Sequence, residues 1–261
     1  MNFPKDISDF LGEREYISDT VGMSSSKVLI FSDCVLKISP VSSNIENEYS
    51  VLKYFEDKLP IPKIINYIEN DGLSYMLMSK MHGKMACSDE YMQNPDVLFS
   101  CIKDSLTLLW NYDISDCKIA GNLEKRLFEA EYRVSHNFVD IDDAEPDTFG
   151  KDGFKDPEEL LFWLYDNRPK EDLVLSHGDF CLPNIFIDGD KFSGFVDVGK
   201  MAVADRYQDI ALCYRSLKHN FSGIFGGKSY GDFDSDDFFK TIGIEPDWDK
   251  IRYYILLDEL F

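Results

Sequence analysis

The sequence predicts an α+β protein of two lobes: the first holds an antiparallel sheet and one main helix, and the second is mainly helical. Two observations predict this fold class. Short runs of alternating β-forming residues fill much of the first 80 residues, and apolar residues recur at helical spacing in much of the chain that follows. Because the pattern changes at residues 79–83, we place the lobes at residues 1–80 and 81–261.

The strands of the first lobe are predicted from alternation and from turn residues. Three strands are expected near residues 16–19, 27–31 and 34–38. A hairpin is expected over residues 63–78, because the turn signal Asn70-Asp71-Gly72 separates two apolar runs. These segments together predict an antiparallel sheet.

The main helix of the first lobe follows Ser42 or Ser43, either of which can serve as its N-cap. Pro60 and Pro62 are expected to end it. Its apolar positions recur at helical spacing: Ile45, Tyr49, Leu52, Phe55 and Leu59.

Lys37 alternates with apolar neighbours on a predicted strand, and a lysine on the inner side of a sheet needs an anionic partner. Glu48 lies beside the apolar stripe of the helix and is placed to meet Lys37. The alternative is a glutamate exposed on a solvated helix flank.

Helix-start signals recur through the second lobe, at Asn94-Pro95, Asp156-Pro157, Asp205 and Pro246-Asp247. Between the first two lies the acidic stretch 140–154, which fits either a disordered loop or part of a cation-binding rim.

Charge and cysteine usage limit the function classes. The chain has 261 residues with 48 acidic and 27 basic side chains, a net charge of −21. Nucleic acid and anionic membranes are therefore unfavourable partners and a cationic partner is favoured, although a solvated acidic face would look the same. Six cysteines without a C-x-x-C pair, no signal peptide and no membrane span lead us to expect a cytoplasmic protein.

The chemistry is carried by H-G-D-F-C-L-P-N at residues 177–184 and D-V-G at residues 197–199. Asp179 is expected to face an attacking hydroxyl group, and Asn184 and Asp197 offer the oxygen ligands that Mg²⁺ prefers. This grouping suits phosphoryl transfer from a magnesium–nucleotide. The alternative is a polar β-turn that only stabilises a loop.

The same motifs resemble the aminoglycoside 3′-phosphotransferases. The resemblance implies a bilobal, protein-kinase-like fold, Mg²⁺ with ATP or GTP as donor, and transfer of the γ-phosphoryl group to the 3′-hydroxyl of kanamycin- or neomycin-type antibiotics, giving resistance in bacteria. It rests on stretches that span nearly the whole chain: residues 22–27, 35–38, 58–63, 177–184, 192–200, 203–212 and 253–261.

The resemblance also implies site residues. It puts the phosphate loop at Met23 and Ser24, the nucleotide lysine at Lys37 with Glu48, and the adenine hinge from Ser79 to Met81. Lys200 falls in the substrate site, where the family usually has arginine; lysine keeps the charge but not the planar fork. His219 stands where several relatives have an acidic residue.

The last residues are expected to bind the cationic substrate. Asp258, Glu259 and the α-carboxylate of Phe261 would put three anions at a helix C-terminus, against the macrodipole, unless a cation offsets them. A multi-ammonium antibiotic is such a cation. The alternative is a frayed, solvated tail.

Two other functions stay open from the sequence. One is a kinase of a different small hydroxylated metabolite or antibiotic on the same fold. The other is a non-catalytic nucleotide-binding sensor, against which the joint presence of Asp179, Asn184 and Asp197 argues. No A-P-E segment follows Gly199, which disfavours a protein kinase.

Overall fold

The computed structural model describes residues 3–18, 26–142, 144–151, 153–224 and 227–261. The chain forms two compact units. The first consists of Met1–Ser88 and Pro183–Lys200, and the second of Asp89–Leu182 and Met201–Phe261. The compact units thus divide the chain differently from the predicted lobes, 1–80 and 81–261, which stay a prediction.

The elements of the described residues are mostly strands in the first part of the chain and mostly helices later. In chain order they are α1 (Lys5–Leu11), β1 (Ile17–Ser18), β2 (Lys27–Ile30), β3 (Cys34–Pro40), α2 (Ser43–Phe55), β4 (Ile64–Asn70), β5 (Leu73–Ser79), β6 (Lys84–Met85), α3 (Asp89–Met92), α4 (Pro95–Trp110), α5 (Leu123–Ser135), α6 (Pro157–Asp166), β7 (Leu173–Ser176), β8 (Ile185–Asp188), β9 (Lys191–Phe195), β10 (Ala202–Asp205), α7 (Arg206–Ser222), α8 (Ser235–Ile242) and α9 (Trp248–Asp258). The predicted α+β class is confirmed.

The first unit is built on an antiparallel five-stranded sheet with strand order β1-β2-β3-β5-β4. The predicted hairpin is β4–β5, and its turn residues Asp71 and Gly72 have φ angles of 51° and 77°. Two consecutive positive φ angles match the right-handed twist of paired strands, and a glycine adopts one at little cost. The turn signal therefore predicted the hairpin correctly.

Two helices accompany this sheet. Helix α1, which the sequence analysis missed, buries Ile7 and Leu11 in the apolar cluster formed by β2, β3 and β5. Helix α2 starts after Ser42 as predicted, but it ends at Phe55, before Pro60. The reason is local: Glu56 leaves the helical conformation at ψ 131° and Asp57 takes a left-handed φ of 62°.

A second, three-stranded sheet of the first unit has the order β6-β8-β9. The carbonyl of Asn184 accepts a hydrogen bond of 3.0 Å from the backbone N–H of Val196, so the residues just before β8 and just after β9 are held together. This sheet therefore positions Asn184 and Asp197 within one unit.

The second unit packs its helices around aromatic side chains and a two-stranded ladder of β7 and β10. The Phe99 ring lies within 6.5 Å of the rings of Phe221, Phe233 and Phe238. Three predicted N-caps accept backbone hydrogen bonds: Asp156, Asp205 and Asp247. These caps satisfy N–H groups that a helix start leaves free.

Within the described ranges, the helices lack the combination of length and apolar character that a membrane span requires.

Candidate functional site

Lys37 and Glu48 meet in the first unit, as their positions on β3 and α2 led us to expect. The Lys37 ammonium lies 2.7 Å from Glu48 Oε2, and only 13% of the lysine side chain is exposed. Burial by itself would lower the pKa of Lys37, but the attraction of Glu48 and Asp197 outweighs it and raises that pKa. The lysine is therefore held as a cation inside the sheet.

Asp197 is the second partner of this lysine. Its Oδ1 lies 3.2 Å from the Lys37 ammonium, while about half of the Asp197 side chain remains exposed. Asp197 has a φ angle of 54°, a region that non-glycine residues rarely occupy. Such conformations cluster at functional sites, where the surroundings hold them in place.

A cavity of roughly 170 Å³ in the first unit gathers most of the predicted nucleotide and metal residues. It has aliphatic walls that include Val35 and Met78. Five predicted site residues line it: Lys37, Glu48, Ser79, Asn184 and Asp197. The cavity therefore offers an apolar surface at one part and a cation with carboxylate and amide oxygens at another.

The predicted hinge residues are fixed by backbone contacts. The N–H of Ser79 donates to the Lys63 carbonyl at 2.9 Å, and the Ser79 hydroxyl accepts from the Lys63 N–H at 2.9 Å. Met81 lies next to Gly194, where a Cβ atom would be 2.1 Å from the Met81 methyl carbon. Glycine at position 194 thus leaves the space that the Met81 side chain fills.

Three predicted site residues have less structural support. Met23 and Ser24, assigned to the phosphate loop, lie outside the described residues. Lys200 is exposed at the end of a short 3₁₀ helix, Val198–Lys200. Its predicted role in substrate binding stays a prediction.

Asp179 lies in the second unit, in a loop whose backbone is anchored by Asp209. Asp209 Oδ2 accepts the N–H of His177 at 2.8 Å, and Oδ1 accepts the N–H of Gly178 at 3.0 Å. The same Oδ1 accepts the Ser176 hydroxyl at 2.8 Å. Three donors on one carboxylate fix the loop that carries Asp179.

Gly178 is required in this loop because its φ angle is 82°. Its carbonyl accepts a hydrogen bond of 3.1 Å from the side-chain amide of Gln208, next to Asp209 on α7. The Asp179 N–H donates to His177 Nδ1 at 3.3 Å, so the ring accepts at that nitrogen. The motif H-G-D therefore encodes the shape of the turn as well as its carboxylate.

Asp209 is a functional residue that the sequence analysis missed. It is fully buried, and burial raises its pKa while His177, Gly178 and Ser176 oppose that shift. The available signal was an aspartate directly before the apolar run 210–213 on a helix, which predicts a buried and hydrogen-bonded acid.

The acidic residues at the chain end are paired with arginines of the second unit. Arg215 Nη1 lies 3.1 Å from Glu259 Oε1, and Arg215 Nη2 pairs with Asp258 Oδ2. Arg126 Nη2 lies 3.6 Å from Asp258 Oδ1. The expectation that these acids lack a cation until a substrate arrives is therefore wrong, because local guanidinium groups provide the positive charge.

The last two residues are also held in place. Arg133 donates to the carbonyl of Leu260 at 2.7 Å and to Phe261 at 2.6 Å, and Leu260 is fully buried. The Phe261 ring lies 4.0 Å from the Arg126 guanidinium carbon. The alternative of a frayed, solvated tail does not match these contacts, while the substrate-binding role of the tail stays a prediction.

The acidic stretch 140–154 reaches this cluster through Glu145. Its backbone N–H donates to Glu259 Oε2 at 3.0 Å, and its carboxylate lies 2.7 Å from His219 Nε2. Burial raises the pKa of Glu259 to about 7, against the lowering effect of Arg215. Together these residues form a connected network, which we call the tail cluster: Arg126, Arg133, Glu145, Arg215, His219, Asp258, Glu259 and Phe261.

Comparison with known proteins places the chain in a family. The model of the phosphotransferase enzyme family matches residues 20–254. Aminoglycoside 3′-phosphotransferases from Enterococcus faecalis and Staphylococcus aureus are each 36% identical to the chain, over 100% of its length and 99% of theirs. The chain belongs to the aminoglycoside 3′-phosphotransferase family. The family and the enzyme class predicted from the sequence are confirmed.

Solved structures show the same fold. Aminoglycoside phosphotransferase APH(3'')-Id from Streptomyces rimosus superposes with a TM-score of 0.80 at 23% identity, covering 97% of this chain and 95% of that one. A structure of that enzyme in complex with ADP and streptomycin gives a TM-score of 0.77 at 22% identity, with the same coverage. The predicted kinase-like fold is confirmed.

Proposed function

We propose that this family member transfers the γ-phosphoryl group of ATP or GTP to the 3′-hydroxyl of kanamycin- and neomycin-type aminoglycosides, and so confers resistance. The observation that carries the proposal is the cavity where Lys37, Asn184 and Asp197 lie together, in a chain that matches aminoglycoside 3′-phosphotransferases over its full length. The relative solved with ADP and streptomycin supports a nucleotide and an aminoglycoside as the two substrate classes. The reaction belongs in the bacterial cytoplasm, where the donor nucleotide is made.

Lys37 binds the phosphates of the donor. Glu48, 2.7 Å from the ammonium, keeps it in position to meet the phosphates. The hinge from Ser79 to Met81 receives the base, and the aliphatic walls of the cavity enclose it. We assign Met23 and Ser24 to the phosphate loop, a role in which backbone N–H groups would bind the phosphates.

Asn184 and Asp197 are the ligands we assign to Mg²⁺. The donor set fits this ion, because Mg²⁺ is usually held by one or two protein oxygens together with substrate phosphates and water. Both side chains line the cavity that contains Lys37. When bound, the ion neutralises charge that develops on the phosphoryl oxygens.

Asp179 orients the acceptor hydroxyl and takes its proton. A carboxylate is too weak a base to ionise a sugar hydroxyl in advance, but in a loose transition state the proton leaves late. Orientation is then the larger part of the role. Asp209, with three hydrogen bonds to the preceding residues, gives Asp179 a fixed starting position.

We assign Asp258, Glu259 and Phe261 of the second unit, and separately Lys200 of the first unit, to substrate binding. Because Arg215 already pairs with both acids, a substrate ammonium group joins a balanced network rather than filling an empty anionic site. Charge-assisted hydrogen bonds to the Asp258 carboxylate, whose side chain is 17% exposed, then provide the attraction.

A transfer assay with purified protein tests the proposal. Labelled γ-phosphate of ATP and GTP is offered with kanamycin, neomycin, choline and homoserine as acceptors. We expect aminoglycosides to be labelled and Asp179→Asn to lower turnover at least about 100-fold, the effect of a lost general base, while nucleotide affinity stays near that of the native chain.

Two outcomes of this assay would overturn the proposal. Faster labelling of choline or homoserine would indicate the kinase of another metabolite. Nucleotide binding without transfer to any acceptor would indicate the non-catalytic sensor. Turnover of Asp179→Asn within a few-fold of the native chain would refute the role of Asp179.

A further inference from the structure

Helix α2 contacts the loop that carries Asp197 through a second residue besides Glu48. The side-chain amide of Asn47 donates a hydrogen bond of 2.5 Å to the carbonyl oxygen of Gly199. Asn47 and Glu48 are neighbours in α2, and Gly199 follows Asp197 by two residues. One helix therefore contacts both the lysine partner of Asp197 and the backbone of its loop.

The backbone of this loop lies directly against α2. A Cβ atom on Gly199 would be 3.2 Å from the Glu48 Cβ, closer than nine in ten such contacts. Glycine at this position allows the loop to approach the helix so closely, and the amide of Asn47 then reaches the Gly199 carbonyl. The loop is therefore held against α2 by close packing and by the Asn47 hydrogen bond.

The packing of this loop against α2 matters because Asp197 has an uncommon backbone conformation, with a φ of 54°. Uncommon backbone conformations persist only where surrounding contacts determine them. One such contact is the 3.2 Å ion pair with Lys37. A bound nucleotide and metal would compete with that contact, since an ammonium has only three donors to share.

The hydrogen bond from Asn47 does not depend on those charges. It joins a neutral amide to a backbone carbonyl, so it persists when the ion pair is shared with a ligand. We propose that Asn47 is a positioning residue that keeps the Asp197 loop seated on α2 when the magnesium–nucleotide binds. This inference rests on the proposed nucleotide site and extends it to a residue outside the cavity lining.

The test compares three substitutions at position 47 in the full chain. Asn47→Ala removes the donor, and Asn47→Asp keeps the shape but presents a carboxylate oxygen to the Gly199 carbonyl. Asn47→Gln keeps the donor on a longer side chain. The matched control is Asn44→Ala, the same change at another exposed position of α2.

Calorimetric titration with a non-hydrolysable ATP analogue, at several Mg²⁺ concentrations, provides a readout that does not need turnover. We expect the Mg²⁺ concentration for half-maximal binding to rise about five-fold in Asn47→Ala, the scale of one lost hydrogen bond, and further in Asn47→Asp. Asn47→Gln should recover part of the loss. The Asn44→Ala control should bind Mg²⁺ and nucleotide like the native chain. The aminoglycoside KM and the thermal midpoint of the Asn47 variants should also stay near native values.

Two results would overturn the inference. One is a native Mg²⁺ dependence in both Asn47→Ala and Asn47→Asp. The other is a weakened Mg²⁺ dependence that only parallels a lowered thermal midpoint across the variants, since that would assign Asn47 a structural role only. If the native chain binds the magnesium–nucleotide but phosphorylates no aminoglycoside, the proposed acceptor fails while the titration still decides the role of Asn47.

Discussion

The cavity around Lys37 and the tail cluster both gather carboxylates, but they balance charge in opposite ways. In the cavity, the ammonium of Lys37 is within 3.2 Å of two carboxylates, one from Glu48 and one from Asp197. One cation thus serves two acids, and about half of the Asp197 side chain remains exposed. This arrangement has an accessible negative charge to offer a metal ion.

The tail cluster matches its acids with arginines. Asp258 pairs with both Arg215 and Arg126, and Glu259 pairs with Arg215. A third arginine, Arg133, holds the last two residues. The carboxylates and arginines of the tail cluster therefore offset each other's charge within the second unit.

The difference shows what a count of acids along the sequence can predict. An acid surplus that persists in three dimensions leaves an exposed carboxylate, as at Asp197, which we propose as a metal ligand. An acid surplus along the sequence alone, as at Asp258 and Glu259, can be cancelled by side chains from other helices.

The largest effect is expected from Lys37→Met. This change removes the ammonium that pairs with Glu48 and Asp197 and that we assign to the donor phosphates. Without this positive charge, kcat/KM for ATP should fall about 100-fold or more. Glu48→Gln should act in the same direction but less, since Glu48 only positions the lysine. Steady-state kinetics with varied ATP measure both.

The control for this prediction is Lys53→Met, which changes an exposed lysine on α2 that pairs with Glu56. It should leave ATP kinetics unchanged. Native ATP kinetics in Lys37→Met would mean that the cavity is not the nucleotide site.

A smaller effect is expected from the double variant Asp258→Asn with Glu259→Gln. It leaves Arg215 without carboxylate partners, and the free energy of unfolding should fall by up to about 3 kcal/mol, the lower end for a broken buried pair, because the cluster is partly exposed. The aminoglycoside KM should rise as well. Urea unfolding and steady-state kinetics measure the two quantities.

Adding Arg215→Met to this double variant separates the two explanations of the tail. If the acids stabilise the fold by pairing with Arg215, removing the arginine should restore much of the lost stability. A double variant with native stability but a raised aminoglycoside KM would show that the acids serve the substrate alone.

The smallest effect concerns pH. Burial raises the pKa of Glu259 to about 7 from an ordinary value of 4.5. Between these values the folded chain binds more protons than the unfolded chain, so the contribution of Glu259 to stability falls as pH rises from 4.5 to 7. Glu259→Gln should flatten this part of the stability profile. An unchanged profile in Glu259→Gln would contradict the raised pKa.

Local signals explain how much of the fold was predictable. The hairpin β4–β5 follows from Asp71-Gly72, and the N-caps Asp156, Asp205 and Asp247 follow from side chains that act within three residues. Helix α2 was correct at its start but too long, because the left-handed conformation at Asp57 overrode the apolar spacing.

The candidate site was predictable where a motif carried it and not where distant residues meet. Lys37 and Glu48 are 11 residues apart and follow a strand–helix pattern. Asn47 and Gly199 are 152 residues apart, and Arg215 and Asp258 are 43 apart. No local pattern pairs such residues. The packing of the Asp197 loop on α2 and the charge balance of the tail cluster could therefore be found only in the structure.

The position of the phosphate on the product tests the central claim most directly. Kanamycin phosphorylated by the purified chain is analysed by phosphorus–proton correlation NMR, alongside an aminoglycoside that lacks the 3′-hydroxyl. We expect the phosphorus to couple to the proton on the 3′ carbon and the 3′-deoxy compound to remain unphosphorylated. Phosphate on another hydroxyl of kanamycin, or turnover of the 3′-deoxy compound, would contradict the account.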